Sequence, residues 1–390
     1  MKKLPGWPNF SKEEIQSVSR VLSSNKVNYW TGDECKEFEK EFSQWTGANY
    51  SIALSNGTVA LDLALIALGI TSSDEVIVTP RSFIASASSV VKIGAKPIFS
   101  DVDCLTGNIT ASHIEEKVTK KTKAIICVHL GGLPCKMDEI MRLAKKHNLF
   151  VIEDCAQAHG ATYKGKSVGT IGHIGAWSFC QDKIMTTGGE GGMVTTNNKK
   201  LWKHMQSYKD HGKNFDSIKK PSRKIGFKWI HDSFGTNFRM TEMQAAIGRI
   251  QLKKIQDWNR LRNRNAKKLI NTLSEFPGVV EMPELPRYMH HAFYRVYAKI
   301  TPNTLKKSWS RDRIIKEINS EGVPCFSGSC PEIYMEKAFI NSSLTPKKRL
   351  NNAKILGETS LAFLCHPNLR LRDMQFIQKI IKQTLNKASC

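Results

Sequence analysis

From about residue 50 to residue 200, short apolar runs alternate with helical stretches, and this alternation constrains the fold more than any other feature. The segments "VIV" from Val76, "PIF" from Pro97, "AIICVHL" from Ala124, "LFVIED" from Leu149, "AWSF" from Ala176 and "GGMVTT" from Gly191 read as strands. Their apolar residues are continuous rather than alternating, which suits strands covered on both faces in a mostly parallel sheet. Between them, "TVALDLALIALG" from Thr58 and "MDEIMRLAKKHN" from Met137 have helical periodicity, the first ending at Gly69. From Met240 a long helical pattern sets Met243, Ile247, Ile250 and Ile255 on one face, and such a helix can run from one domain into another. The three prolines of "FPGVVEMPELP" then break the pattern. The expectation is an α/β protein with a large domain, residues 1–265, and a smaller carboxyl-terminal α/β domain, residues 266–390.

A net charge of +23 raises the question of a nucleic-acid partner. The basic residues are scattered in short groups such as Lys120–Lys121, Lys253–Lys254 and Lys347–Lys348–Arg349, which suit solvated helix faces. With no basic block or recognition motif, nucleic acid is not the expected partner, although a basic surface steers small anions. No apolar run approaches the roughly 18 residues of a membrane span. "MKKLPGWPNF" has no apolar stretch behind its lysines, so no signal peptide is expected. The ten cysteines include no CxxC pair, and Cys127, Cys155 and Cys180 lie in or beside apolar strands. That usage suits reduced, buried thiols in a cytoplasmic protein, without a metal site.

The segment "WSFCQDKIMTTGGEGGMVTT" sets Lys183 between an apolar run and a glycine loop, where both flanks read as interior. Lysine is seldom fully buried without a partner. A P-loop is excluded, because there the lysine follows the glycines within G-x-x-x-x-G-K-[ST]. A surface lysine ahead of a turn is the plain alternative for this segment alone. Two other segments change the balance. "FVIEDCAQAHGA" ends a buried strand in Glu153 and Asp154, at the sheet edge where ligands of parallel sheets bind. "ALSNGTVALDLAL" passes from strand to helix through Asn56, Gly57 and Thr58, where bare backbone and the free N–H groups of a first helical turn suit a phosphate. Ser178 can add a hydroxyl. Pyridoxal 5'-phosphate (PLP) needs all three features: a phosphate cradle, a carboxylate opposite the ring nitrogen, and a lysine to form a Schiff base with its aldehyde. Burial is expected to lower the lysine pKa and supply the neutral amine.

At these motifs the chain resembles the DegT/DnrJ/EryC1/StrS family of nucleotide-sugar aminotransferases, within the fold-type I (aspartate aminotransferase-like) PLP enzymes. "SNGTVALDLALIALGI", "SSDEVIVTPRSFIASASSVVKIGAKPIFSDVD", "VIEDCAQAHGATYKGKSVGTIG", "SFCQDKIMTTGGEGGMVTTN" and "GTNFRMTEMQAAIGRIQL" carry the resemblance, in order along nearly the whole chain. It implies that Lys183 holds the cofactor and moves the proton between substrate carbon and cofactor. Asp154 matches the partner of the pyridine nitrogen, and Gln157 the residue beside the ring hydroxyl. Phe83 matches an aromatic stacked on the ring, and Gly57, Thr58 and Ser178 the phosphate binders. Asn237 matches an asparagine that reaches the phosphate of the other subunit's cofactor, which implies a homodimer with shared sites. Trp30, in "VNYWTGDE", matches a segment brought close to the sugar.

The implied reaction moves an amino group from L-glutamate to a nucleotide-diphospho-keto-sugar, of which a 4-keto-6-deoxyhexose is the commonest kind. The product would be an amino sugar for O-antigen or other lipopolysaccharide, or for a glycosylated natural product, and "VHLGGLPCKMDEI" is similar to the perosamine-forming members. Two departures stand out. The loop reads "TTGGEGG" where the family commonly has TTGEGG, and "GVPCFSGSCPEIYMEKAF" replaces a Tyr-Pro-rich segment, so no sugar-binding role transfers there. Two other readings stay open: a sugar dehydratase of the same family, in which histidine replaces the lysine, and a non-catalytic relative that uses its basic surface for a polyanion.

Overall fold

The computed structural model of the chain describes residues 4–219 and 228–390. Lys2 and Lys3 of the amino-terminal segment lie outside the described residues. A seven-stranded sheet runs in the order Tyr50–Leu54, Gly192–Thr196, Ile174–Ser178, Phe150–Asp154, Thr122–Val128, Glu75–Val78, Lys96–Phe99. Every run read as a strand is one. Gly192–Thr196 is antiparallel to both neighbours, and the other pairs are parallel, so the sheet is mostly parallel as expected.

The helix Gly57–Ala67 is apolar nearly all round, with Leu61, Leu63 and Leu65 all buried, because it is wedged between the sheet and the outer helices. Its buried Asp62 is matched by Lys92 Nζ at 2.6 Å. Helix Met137–His147 ends at Asn148, whose left-handed φ of 55° closes it. Helix Glu242–Leu273 starts from Thr241, which forms a capping box with Gln244. Helices Lys12–Ser23 and Glu34–Thr46 pack along it. Its buried face is Ala245, Ala246, Gly248, Ile250, Leu252 and Ile255, whereas Met243 and Ile247 are only half-buried. The small residues are used where other elements cross the helix: a Cβ on Gly248 would lie 2.6 Å from the Phe38 ring.

The carboxyl-terminal part builds a second sheet in the order Val280–Glu281, Val296–Ile300, Ser360–Phe363, Cys325–Phe326. Its core joins helices Arg311–Ser320 and Leu371–Ala388 to Ala266, Leu269 and Leu273 of the long helix. A division after residue 265, proposed from the sequence, therefore falls inside that helix. The stretch from Ile333 to Leu356 returns to pack on the large sheet's core through Ile333, Tyr334, Phe339 and Leu356. Among the described residues, no helix is long and apolar enough to cross a membrane.

Candidate active site

Three strands reach the same level at one end of the large sheet: Leu54 and Ser178 both pair with Gly192. The chain leaves Leu54 through Asn56, whose side chain accepts the Val59 N–H at 3.0 Å and so caps the helix that begins at Gly57. A Cβ on Gly57 would lie 2.5 Å from Ser178 Cβ, and one on Gly192 would lie 2.2 Å from the Asn56 carbonyl oxygen. Only bare backbone fits there. The helix N-terminus, the Ser178 hydroxyl and exposed Thr58 thus meet at one point, where first-turn N–H groups other than that of Val59 suit an anion. Ser178 Oγ also accepts the Cys180 N–H at 3.3 Å.

On the strand next to that of Ser178, Glu153 and Asp154 end Phe150–Asp154 and point to opposite faces, as consecutive strand residues do. Glu153 is wholly buried. It faces His129 Nε2 at 3.0 Å and accepts N–H groups from Gly169 at 2.9 Å, Ile171 at 2.9 Å and Gly172 at 2.6 Å. Burial works against its charge, but His129 and these amides outweigh it and hold the carboxyl below its ordinary pKa. Among the described residues, the Asp154 carboxylate accepts only the Ser86 hydroxyl at 2.8 Å and the Ala156 N–H at 3.1 Å. Burial pushes its pKa up, offset in part by these bonds and by the charge on Lys183. His129, Glu153 and Cys155 lie within 4.8 Å of one another. Their polar atoms are engaged within the protein: His129 Nδ1 takes the Cys135 N–H at 3.0 Å.

Lys183 follows in the loop that returns to Gly192, and its side chain is 15% exposed. Nζ lies 3.3 Å from Asp182 Oδ1 and 5.4 Å from the centre of the Tyr294 ring. Tyr294 donates its hydroxyl to Asp182 Oδ2. Here the sequence expectation needs correcting. Burial does oppose the ammonium, but Tyr294 and Asp182 outweigh it, and the amine's pKa lies above its ordinary value. The glycines after it bend the loop back: Gly188 has φ 89° and Gly189 φ 125°, both in the left-handed region, and the bridge Cys180–Gly189 closes it. Cys180 is half-buried rather than buried, unlike Cys127 and Cys155.

The other expected residues are less concentrated. Phe83 is 66% exposed beside the Ser82–Ser86 turn, free to cover a flat ring. Gln157 is buried, and its Oε1 accepts the Gly131 N–H at 2.7 Å, leaving its amide N–H groups as donors. Asn237 is exposed, and its Oδ1 accepts the Arg239 N–H at 3.2 Å. Trp30 lines a different cleft of ≈ 820 Å3, stacked 5.7 Å from Phe215 with Lys213 Nζ 4.4 Å above its ring. Sequence reasoning missed Asp182, Tyr294 and Ser86. Asp182 adjoins the lysine and was readable as a counter-charge; Tyr294 and Ser86 carry no local signal. Trp7 was also missed, and its indole N–H donates to the Lys183 carbonyl at 2.7 Å.

A helix start with no room for a side chain, a buried carboxylate and a lysine whose charge acts on that carboxylate fit the phosphate, ring nitrogen and aldehyde of PLP. Comparison with known proteins agrees. Residues 8–382 match the model of the DegT/DnrJ/EryC1/StrS aminotransferase family. The chain belongs to that family. It is 44% identical over 277 residues, 70% of this chain and 73% of the other, to the GDP-perosamine synthase of Escherichia coli O157:H7. It is 40% identical over 255 residues to the dTDP-3-amino-3,6-dideoxy-alpha-D-galactopyranose transaminase of Aneurinibacillus thermoaerophilus, covering 65% of this chain and 66% of that one. An aminotransferase from Psychrobacter cryohalolentis has the same structure with a TM-score of 0.97, at 57% identity over 98% of this chain and 99% of that one. This chain is accordingly a PLP-dependent sugar aminotransferase of the fold-type I class.

Proposed function

We propose that the enzyme moves an amino group from L-glutamate to the ketone of a nucleotide-linked keto-deoxysugar, a 4-keto-6-deoxyhexose. In this reading it works in the cytoplasm as a homodimer with shared active sites, Asn237 reaching the partner's phosphate site, and supplies an amino sugar for a surface polysaccharide such as O-antigen. The reading is carried by Lys183, whose charge acts on the buried Asp154. A dehydratase of the family has histidine in the lysine's place. The relatives' names, a GDP-sugar synthase and a dTDP-sugar transaminase, support the acceptor class.

The chain's residues divide the work as follows. Bound there, PLP supplies the electron sink that lets an amino-bearing carbon lose and regain a proton. Gly57, Thr58 and Ser178 would hold the phosphate at the helix N-terminus, and Phe83 would cover the ring. Asp154, oriented by the Ser86 hydroxyl, would keep a proton on the ring nitrogen. Gln157 offers its amide donors to the ring hydroxyl. Lys183 Nζ takes and returns the proton at the reacting carbon, and Asp182 with Tyr294 keeps that amine oriented.

The acceptor is tested by converting the bound cofactor to its amine form with L-glutamate. The removed donor is then replaced by GDP-, dTDP- and UDP-linked 4-keto-6-deoxyhexoses in turn. One of these should restore the visible band and yield the aminated sugar by mass. If none does while a keto-sugar of another class does, the 4-keto-6-deoxyhexose assignment falls.

A further inference from the structure

Beside Asp182 lies a cavity of ≈ 360 Å3 whose walls carry more positive charge than the chain neutralises. Arg262 from the long helix, Arg295, His366 and Trp7 contribute to it. Asp182 is the one carboxylate among its lining residues, and it is already engaged with Lys183 and Tyr294. Arg262 is only 2% exposed, yet its Nε and Nη2 have no hydrogen-bond partner among the described residues. Its Nη1 makes a single long bond, 3.5 Å, to the Phe293 carbonyl. Burial drives the His366 pKa down to about 4, so this neighbour adds no charge of its own near neutrality.

A buried guanidinium left with two free N–H directions is costly, and the ligand that matches its planar fork is a carboxylate or a phosphate. The position narrows the choice. The Trp7 ring lies 5.0 Å from the Arg262 guanidinium, and the same indole donates to the Lys183 carbonyl. The cavity thus adjoins the reactive amine through Asp182 on one side and Trp7 on the other. Its volume is at the low end of the ~300–1,000 Å3 found for small-molecule sites, which gives room for a five-carbon diacid rather than a nucleotide-linked sugar.

We propose that this cavity is the subsite for a carboxylate of the amino donor, with Arg262 as the binding fork and Arg295 as the second cation. The proposal rests on the reading that the donor is an amino acid, L-glutamate. The test uses the PLP-loaded enzyme, with calorimetric titration of glutarate, an unreactive five-carbon diacid, and separately of inorganic pyrophosphate. Glutarate should bind the wild type, and Arg262→Met should weaken it about ten- to a hundredfold, with Arg262→Lys in between. In the half reactions, KM for the donor should rise and KM for the keto-sugar should stay. The melting temperature of Arg262→Met should hold or rise, because the buried charge it removes faces the Phe293 carbonyl and the Trp7 ring but no carboxylate in the free protein. Arg295→Met, on a less buried wall, should weaken glutarate as well.

Unchanged glutarate binding in Arg262→Met overturns the proposal, and so does a loss confined to pyrophosphate. A fall in melting temperature with equal damage to both half reactions makes Arg262 structural and also overturns it. Should Arg262→Met fail to fold, wild-type glutarate binding in Arg295→Met overturns the proposal by itself. Failure of the donor reading is separable: the wild-type spectrum would ignore glutamate while glutarate still bound through Arg262. That outcome keeps the carboxylate site and overturns only the donor's identity.

Discussion

Glu153 and Asp154 end the same strand, are both buried, and belong to differently built regions. Below the sheet, Glu153 is enclosed by His129 and three backbone N–H groups, so its charge is fully answered and its pKa is held low. Above it, Asp154 has one hydroxyl and one N–H, and its pKa is pushed up. The first region spends its carboxylate on tying the turn Gly169–Gly172 to the sheet. The second leaves carboxylate capacity unused by the protein, which is what a site kept for a ligand requires. Both side chains are carboxylates; the regions differ in the number of donors and in the His129 charge that only Glu153 faces directly.

The largest expected effect lies at the lysine that completes the second region. Lys183→Ala should fold and retain cofactor noncovalently, and its transamination should fall by about 10²–10⁴-fold or more in single-turnover assays. Wild-type turnover would remove the site from this end of the sheet. Glu153→Gln should instead be felt as stability. Leaving His129 and the amides facing a neutral group should cost about 3–5 kcal/mol in denaturant unfolding, with the cofactor spectrum of the folded protein unchanged. A cost below about 1 kcal/mol would erase the contrast between the regions.

Asp154→Asn should show the reverse pattern. Stability should hold or improve slightly, while proton transfer at the substrate carbon slows about 10²-fold in stopped-flow traces. Equal rates would return Asp154 to a structural role. The smallest effect is in the pH dependence of melting, where the two residues should carry opposite signs. The stability Glu153 contributes is present above its ordinary value of 4.5 and lost as pH falls through its lower folded value. For Asp154 the contribution is present below 3.8 and lost as pH rises through its higher folded value. Difference curves of the two variants against wild type should therefore slope in opposite directions, and parallel curves would contradict the assignment.

Much of this was legible before the structure, for an identifiable reason. Strand, turn and helix start are consecutive in sequence, so Gly57, Asp154, Ser178 and Lys183 each announce themselves within a dozen residues. The continuous apolar runs also made the sheet mostly parallel. What could not be read comes from far along the chain. Tyr294 reaches Asp182 across 112 positions and Trp7 reaches Lys183 across 176, and no local pattern marks either. The direction of the Lys183 pKa was misjudged for the same reason, since burial was legible and the groups opposing it were not. The helical face drawn through Met243 and Ile247 missed because small residues, not large ones, mark where neighbouring elements press closest.

The most direct test of the central account is the visible absorption spectrum of the purified protein loaded with PLP, recorded before and after addition of L-glutamate. The account predicts a visible band from lysine-bound cofactor that is missing in Lys183→Ala and that glutamate bleaches to the band of the amine form. A protein that takes up no cofactor, or a wild-type band indistinguishable from that of Lys183→Ala, would contradict the site built around Lys183. A true lysine band that glutamate leaves untouched would contradict the proposed donor.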